Sequence, residues 1–191
     1  MNTRRDETRK KMLTAASAGF RAHGYAGIGV DGIANAAGVT SGAFYAHLKS
    51  KDLAFAAALE IGLDEVLDGI RLFRGEHGAK WLEAFANYYL GKPHRADLSC
   101  GCAMASLSPE VARGQGDLHQ AYADRMNQIV DRIADGLAGG DYVGRRARAW
   151  AFLTGLIGGL TMARAVGEDG PAEEIAAAVR SAALVAAGPA R

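Results

Sequence analysis

Proline and cysteine are both scarce in this 191-residue chain, which holds four prolines and two cysteines. Proline breaks helices, so its scarcity leaves long stretches of the chain free to be helical. Small secreted domains that depend on disulfides carry more cysteines, and here Cys100 and Cys102 stand only two positions apart. The sequence therefore excludes a disulfide-dependent secreted fold.

Long hydrophobic runs are absent as well. The longest apolar stretch, residues 149–163, lies between Arg148 and Arg164 and falls short of the ~20 residues that span a bilayer. The first twelve residues are polar and include five Lys or Arg, unlike the apolar segment of a secretory signal. We therefore expect a cytoplasmic protein.

Several motifs of catalysis are also missing. The chain has no nucleophile elbow, no HExxH zinc-protease motif and no phosphate-binding P-loop. The Cys-x-Cys pair, with His94 as its one nearby histidine, supplies too few ligands for zinc. We therefore expect a protein that is not an enzyme and that holds no metal and no cofactor. Two other classes of protein remain as alternatives, a helical hydrolase or transferase and a helical protein-interaction module.

Positive charge is concentrated in the first part of the chain. Residues 1–55 hold eight Lys or Arg against four Asp or Glu, whereas the whole chain has a net charge of +1. A basic segment on a mildly acidic body favours contact with a polyanion such as nucleic acid, although a segment of this charge also arises by chance.

Apolar residues recur at helical spacing along the chain, and no stretch alternates long enough to predict a strand. The sequence therefore predicts an all-α fold with about nine helices. The predicted helices cover residues 5–23, 31–37, 41–48, 50–70, 78–91, 99–107, 108–137, 143–166 and 171–187.

Residues 31–48 predict a helix-turn-helix, because two short helices meet at Gly38. Phe44 faces the core of this motif, and most other residues of the second helix face outward. Small residues there can approach a DNA major groove, hydroxyls can bond to phosphates or base edges, and a lysine that opens the next helix suits a phosphate. A plain helical hairpin with a solvated lysine face is the alternative. The predicted DNA contacts are Thr40, Ser41, Gly42, Ala43, Tyr45, His47 and Lys51.

Residues 9–58 resemble the N-terminal domain of the TetR (tetracycline-repressor-like) family of bacterial transcription regulators. Leu48 replaces the family's usual phenylalanine, and Gly29 stands where the family often has a capping Thr or Ser. The positions that carry the resemblance are Phe20, Gly24, Tyr25, Ile33, Ala34, Ala37, Gly38, Val39, Thr40, Gly42, Tyr45, His47, Leu48, Lys51 and Leu53.

The resemblance implies two domains, a three-helix DNA-binding domain over residues 1–50 and a helical effector-binding and dimerisation domain over residues 51–191. It further implies a homodimer that binds a near-palindromic operator on double-stranded DNA, usually as a repressor that a small-molecule effector releases.

The resemblance also implies that the last two helices of each subunit pair in a four-helix bundle. Glycines at 155, 158 and 159 thin one face of the first of these helices, and apolar residues cover much of the rest. The alternative is that both helices are buried only against their own chain. The predicted interface residues are Trp150, Leu153, Ile157, Leu160, Val179, Ala183 and Leu184.

An effector pocket within the C-terminal body is a further implication of the resemblance, and its aromatic rings and methionines suit an uncharged, fairly apolar compound. An aromatic stripe at helical spacing is, however, more often plain core. Alternatively, Cys100 and Cys102 sense electrophiles or oxidants, or serve only as small core residues. The candidate pocket residues are Trp81, Phe85, Tyr88, Cys102, Met104, His119, Tyr122, Met126 and Phe152.

Overall fold

A computed structural model describes residues 3–99, 101–114, 116–167 and 169–191. These residues form ten α-helices and a single 3-10 turn, with no named strand among them, so the predicted all-α fold is confirmed. The elements are α1 (Thr3–Gly27), α2 (Val30–Ala36), α3 (Ser41–Leu48), α4 (Lys51–His77), the 3-10 turn (Gly78–Lys80), α5 (Trp81–Tyr89), α6 (Lys92–Ala96), α7 (Ala103–Arg113), α8 (Asp117–Asp135), α9 (Tyr142–Val166) and α10 (Asp169–Ala187).

The prediction that a helix begins at Ser108 is wrong, because α7 runs through this position. Pro109 lies inside α7, and the Ser108 hydroxyl donates to the carbonyl of Met104 at 2.5 Å, one turn back. Leu107 and Val111 are buried on either side of the exposed proline. A continuous apolar face therefore outweighs the local start signal of a serine followed by proline.

A second difference is α6, which forms where the sequence predicts only a break. Pro93 stands in its first turn, where a missing N–H costs no helical hydrogen bond.

The predicted helix over residues 108–137 is interrupted, because α7 ends at Arg113 and α8 begins at Asp117. α4 runs to His77, past its predicted end at residue 70, and the remaining predicted helices agree with the structure to within a few residues. α1 continues past its predicted end at His23, with a non-helical kink at Gly24 (φ 72°, ψ 173°).

The described residues divide into two compact units. The first unit comprises residues up to 63 together with 98–122, and the second comprises 64–97 together with 123–191. The start of α4, the whole of α7 and the start of α8 therefore cluster with the N-terminal helices. The functional division at residue 50, with DNA binding before it and effector binding after it, remains a prediction.

The core of the first unit joins α1, α2 and α3 through apolar side chains. Phe20, Ile33 and Phe44 are each fully buried. A buried arginine fastens a more distant segment to them, because Arg21 donates to the carbonyl of Gly101 at 3.1 Å. This bond satisfies part of a charged group that would be costly to bury alone.

The second unit is built on α9 and α10, which pack closely along each other. A Cβ added at Gly159 would lie 2.6 Å from the Val179 side chain, so the absence of a side chain permits this close approach. By length and composition, α9 is the one helix among the described residues that could cross a membrane. Several of its apolar residues, including Phe152 and Leu156, are instead fully buried against the rest of the chain.

Candidate nucleic-acid interface

The turn between α2 and α3 is a Schellman motif, which ends a helix with a left-handed residue. The N–H of Val39 bonds to the carbonyl of Ala34 and the N–H of Gly38 to that of Asn35, both at 3.0 Å. Gly38 has φ 68°, a value that glycine adopts without the steric cost of a Cβ. The turn thus fixes the angle at which α3 leaves α2.

Thr40 caps the start of α3. Its backbone is extended, and its hydroxyl oxygen accepts a hydrogen bond from the N–H of Ala43 at 3.2 Å. The cap satisfies one of the unpaired donors that every helix start exposes. Thr40 is therefore both a structural cap and an exposed side chain on the predicted DNA-binding face.

The two faces of α3 differ sharply in burial. Phe44 and Leu48 are buried, whereas Gly42 is exposed and Tyr45 exposes 53% of its surface. A Cβ at Gly42 would meet only the Thr40 hydroxyl oxygen, at an ordinary 3.8 Å. Packing within the chain therefore does not require glycine at this position. Because Gly42 has no side chain, the helix backbone is exposed at the start of α3.

Ser41 makes a contact that the sequence did not indicate. Its hydroxyl donates to the Asp31 carboxylate of α2 at 2.5 Å. The predicted DNA contact at Ser41 thus already has a partner within the helix-turn-helix. Asp31 brings a negative charge to a face that is expected to meet phosphates. The sequence did not predict this hydrogen bond, because the two residues lie on different helices.

Lys51 opens α4 beside this face. Ser50 caps the helix, because its hydroxyl oxygen accepts from the N–H of Leu53 at 3.1 Å. The Lys51 ammonium nitrogen lies 4.4 Å from the centre of the Tyr25 ring. Tyr25 in turn donates its hydroxyl to Asp52, and this hydrogen bond, with burial and the carboxylate charge, raises the pKa of Tyr25 to about 12.

His47 is the remaining predicted contact on α3. It is half-buried, and its Nδ1 atom has no hydrogen-bond partner among the described residues. The structure therefore gathers the seven predicted DNA contacts along α3 and at the start of α4. It adds Asp31 and Tyr25, which touch two of those contacts.

Comparison with known proteins agrees with this geometry. Residues 12–58, which include α2, α3 and the start of α4, match the sequence model described as "Bacterial regulatory proteins, tetR family". Within residues 12–58, the chain therefore matches the TetR family. A 67-residue stretch is also 40% identical to the HTH-type transcriptional activator FasR of Mycolicibacterium smegmatis, covering 35% of this chain and 31% of that protein.

Solved structures of TetR-family proteins share the fold along nearly the whole chain. A TetR-family transcriptional regulator from Cytophaga hutchinsonii superposes with a TM-score of 0.78 at 14% identity, covering 94% of each chain. The reduced form of E. coli NemR gives a TM-score of 0.71 at 18% identity, covering 91% of this chain and 95% of that one. At such identities the likeness shows the fold alone.

The nine candidate pocket residues fall into different compact units. Cys102, Met104, His119 and Tyr122 belong to the first unit, and the other five belong to the second. The prediction from the sequence instead assigned all nine residues to a single C-terminal domain.

Within the first unit, Tyr122 shares a hydrogen bond with the Ser108 hydroxyl at 2.5 Å, while burial raises the pKa of the Tyr122 phenol. His119 Nε2 lies 2.7 Å from the carbonyl of Val111. Cys102 is a buried free thiol, and Cys100 lies outside the described residues.

Within the second unit, the candidate residues are mostly packed core. Phe85 and Phe152 are buried with ring centres 6.3 Å apart, and the buried Trp81 donates its indole N–H to Gly136. Met126 is also buried, whereas Tyr88 exposes 55% of its surface. An effector site among these residues stays a prediction.

The predicted dimer residues lie at different depths on α9 and α10. Leu153, Leu160 and Ala183 are buried within the chain itself. The other four, Trp150, Ile157, Val179 and Leu184, are half-buried.

A stripe of small residues runs along the exposed side of α9, where Val143, Met162 and Val166 are also exposed. Sequence analysis identified only Gly158 of this stripe, although the alternating spacing of four and three is visible in the sequence. Its members are Ala147, Ala151, Thr154, Gly158, Thr161 and Ala165.

Proposed function

We propose that this protein is a transcription regulator of the TetR family that binds operator DNA as a homodimer through α3 and the start of α4. The observation that supports the proposal is the exposed helix backbone at Gly42, near the start of α3. Gly42 leaves room that the chain itself does not need, so a groove edge can come close to the helix backbone. The exposed Tyr45 is suited to contact the DNA backbone, and Lys51 to contact a phosphate.

A gel shift on the DNA upstream of the protein's own gene tests this function. We expect a band that resists excess nonspecific competitor and weakens steeply with salt. Gly42→Leu should remove the band without lowering the melting temperature, because nothing within the chain opposes a side chain there. Gly75→Leu, which adds the same side chain at an exposed glycine of α4 with open space around it, serves as the matched control. A Gly42→Leu protein that binds as tightly as the wild type would contradict the docking of α3.

The proposed dimer joins the small-residue stripe of α9, together with the exposed side of α10, to the same surface of a second copy. Small residues permit helices to approach closely, and the two threonine hydroxyls are already bonded to their own helix. Thr154 donates to the Trp150 carbonyl at 2.7 Å and Thr161 to that of Ile157 at 2.8 Å. Burying the stripe would therefore leave no hydroxyl unpaired. Nearby Val185 exposes 80% of its surface.

Light scattering on Gly158→Leu tests the dimer, because a leucine at the centre of the stripe would hold the two copies apart. We expect a dimeric wild type and a largely monomeric variant. Gly75→Leu, at an exposed glycine of α4 with open space around it, should remain dimeric. Equal dimerisation of both variants would place the interface elsewhere.

We further propose that a small, uncharged and fairly apolar effector controls DNA binding. The rings and methionine of the second unit support this chemistry, because their side chains are apolar and carry no charge. A compound screen for release from DNA would identify such an effector. Phe152→Ala should weaken the response to it, and Leu72→Ala, at an exposed position, should not.

Repression is the proposed direction of regulation, with the cytoplasm as the proposed location. FasR is named an activator, and its resemblance covers only 35% of this chain. A promoter fused to a reporter decides between the two directions. Deleting the gene should raise reporter expression for a repressor and lower it for an activator.

Thiol sensing at Cys102 is the second candidate for the regulatory input. The NemR structure is described as a reduced form, and Cys102 of this chain is a free thiol. If the thiol is the sensor, Cys102→Ser should abolish electrophile-induced release from DNA. Unchanged release in that variant would leave Cys102 as a small core residue, in keeping with its burial.

A further inference from the structure

Tyr25 is the residue whose surroundings the DNA-binding proposal does not explain. It follows the kink at Gly24 near the end of α1, and its ring lies beside Lys51, the first residue of α4. Three different kinds of contact meet on its side chain: ring packing, a hydrogen bond to a carboxylate and a cation above the ring face.

Ring packing fixes the plane of Tyr25. Its ring stacks on Phe20 with centres 6.0 Å apart and meets Phe55 edge-on at 5.4 Å. Phe20 and Phe55 are buried and pack edge-on against each other at 5.2 Å. Because both supporting rings belong to the core, the exposed part of the tyrosine ring is held at a fixed position and angle.

The hydroxyl of Tyr25 fixes the ring from its other end. It donates to Asp52, the residue next to Lys51. This bond keeps the carboxylate occupied by a neutral donor. Among the described residues, no carboxylate forms an ion pair with Lys51, so the nearby acid does not neutralise this ammonium group.

The ring face in turn holds the Lys51 ammonium, 4.4 Å from the ring centre. A lysine side chain loses much rotational freedom when it binds a phosphate, so a lysine that is already oriented binds with a smaller entropy loss. An ammonium resting on a ring keeps N–H donors on its opposite side. Lys51 also stands at the start of a 27-residue helix, whose terminal N–H groups favour an anion.

We propose that Tyr25 is a positioning residue that orients Lys51 toward a DNA phosphate. This inference rests on the proposed DNA-binding function and adds to it a residue that itself need not touch DNA. Tyr25 then contributes to affinity only through Lys51, and it contributes equally on every DNA sequence, because a phosphate contact carries no base information.

A double-mutant cycle on the full-length protein tests the proposal. The probe is a fluorescent mixed-sequence duplex, since phosphate contacts do not need the operator, and affinity is measured across a series of salt concentrations. Lys51→Ala should lower the slope of log affinity against log salt by about 0.9. Tyr25→Leu should weaken low-salt binding by about two- to fivefold, the amount expected for one exposed cation–π contact.

The decisive comparison is Tyr25→Leu in the Lys51→Ala background, where we expect no further loss of affinity. Two variants act as matched controls. Lys49→Ala removes a neighbouring lysine that does not rest on the ring, and Tyr142→Leu removes a tyrosine that contacts two arginines in the other unit. Lys49→Ala should not couple to Tyr25→Leu, and Tyr142→Leu should not couple to Lys51→Ala. An equal loss in both backgrounds would overturn the proposal.

Proton NMR keeps the proposal testable if Tyr25→Leu does not fold. The ε-methylene protons of Lys51, assigned by comparison with Lys51→Arg, should lie upfield of those of the exposed Lys10 because of the ring current. They should stay upfield in Tyr25→Phe, which keeps the ring. If the Lys51 protons had the same chemical shift as those of Lys10, the positioning role of Tyr25 would be overturned, whereas the proposed DNA-binding function would stand. Absence of any salt-dependent DNA binding by the wild type would overturn the proposed function together with it.

Discussion

At the scale of single residues, Lys49 has the least favourable backbone conformation among the described non-glycine residues. Its φ of 69° is the only positive value among them, with ψ at −51°. The N–H of Ser50 bonds to the carbonyl of Leu48 at 2.8 Å across it, which makes a γ-turn of the strained hand. This tight turn brings the start of α4 directly beside the end of α3, where Lys51 is needed.

Replacing Lys49 by glycine should relieve this strain. A non-glycine residue in such a conformation costs roughly 1–3 kcal/mol, part of which glycine loses again through its greater freedom in the unfolded chain. Lys49→Gly should therefore be more stable than Lys49→Ala by about 1 kcal/mol in urea denaturation. Both variants lose the same side chain, so equal stabilities would show that the turn carries no strain.

The raised pKa of Tyr25 predicts that the free energy of unfolding depends on pH in the alkaline range. Its pKa is raised to about 12, chiefly by the hydrogen bond to Asp52, so folding favours the protonated phenol. The resulting stabilisation is fully present below the unfolded pKa near 10 and is lost as the pH rises toward about 12.

Urea denaturation of wild type and Tyr25→Phe across this range measures the effect. The difference in unfolding free energy should be constant below about pH 9 and should shrink above about pH 10. Ultraviolet absorbance should show one late-titrating phenol fewer in the variant. A difference that does not change with pH would contradict the hydrogen bond to Asp52.

At the scale of helices, the contact of α9 with α10 depends on one glycine of an adjacent pair. A Cβ at Gly159 would lie 2.6 to 3.0 Å from three atoms of Val179, whereas at Gly158 it would meet nothing within 4 Å. Two successive glycines therefore serve opposite sides of α9. Gly159 faces α10 of the same chain, and Gly158 faces outward.

Gly159→Ala should destabilise the fold, because Val179 belongs to a packed helix and cannot move far. We expect a loss of about 1–3 kcal/mol, the usual cost of overpacking. Gly158→Ala should instead be neutral or slightly stabilising for folding, since alanine favours a helix. Thermal or chemical denaturation of the two variants makes the comparison, and a more stable Gly159→Ala would contradict the packing of α9 on α10.

The helix-turn-helix was predictable because its signals are local. Ala34, Gly38 and Phe44 are a few residues apart, and each acts on its immediate neighbours through packing or a turn. The path of α7 was not predictable from Ser108 and Pro109, since burial on both sides of the proline decided it.

Contacts between distant residues were beyond the sequence pattern. Tyr25 meets Lys51 across 26 positions, and Arg21 meets Gly101 across 80. The small residues of the α9 stripe are visible in the sequence, but their exposure is not, because it depends on which face of α9 the other helices cover. Large residues such as Leu153 and Leu160 were buried by the chain itself, which left the small ones exposed.

At the scale of the whole molecule, a dimer would double every feature of the proposed DNA-binding surface. Two copies of α3 that meet successive major grooves on one side of B-DNA lie about 34–36 Å apart. A two-fold symmetric protein then requires a near-palindromic site, and the symmetry of the site is a property that no single subunit can produce.

Selection of DNA from a random library by the full-length protein tests this account most directly. We expect enrichment of a near-palindromic sequence whose half-sites lie about one helical turn apart, and its loss with Tyr45→Ala. Enrichment of a single unrepeated half-site would contradict the dimeric arrangement. A library that remains random after repeated rounds would contradict specific DNA binding, and with it the proposed regulatory function.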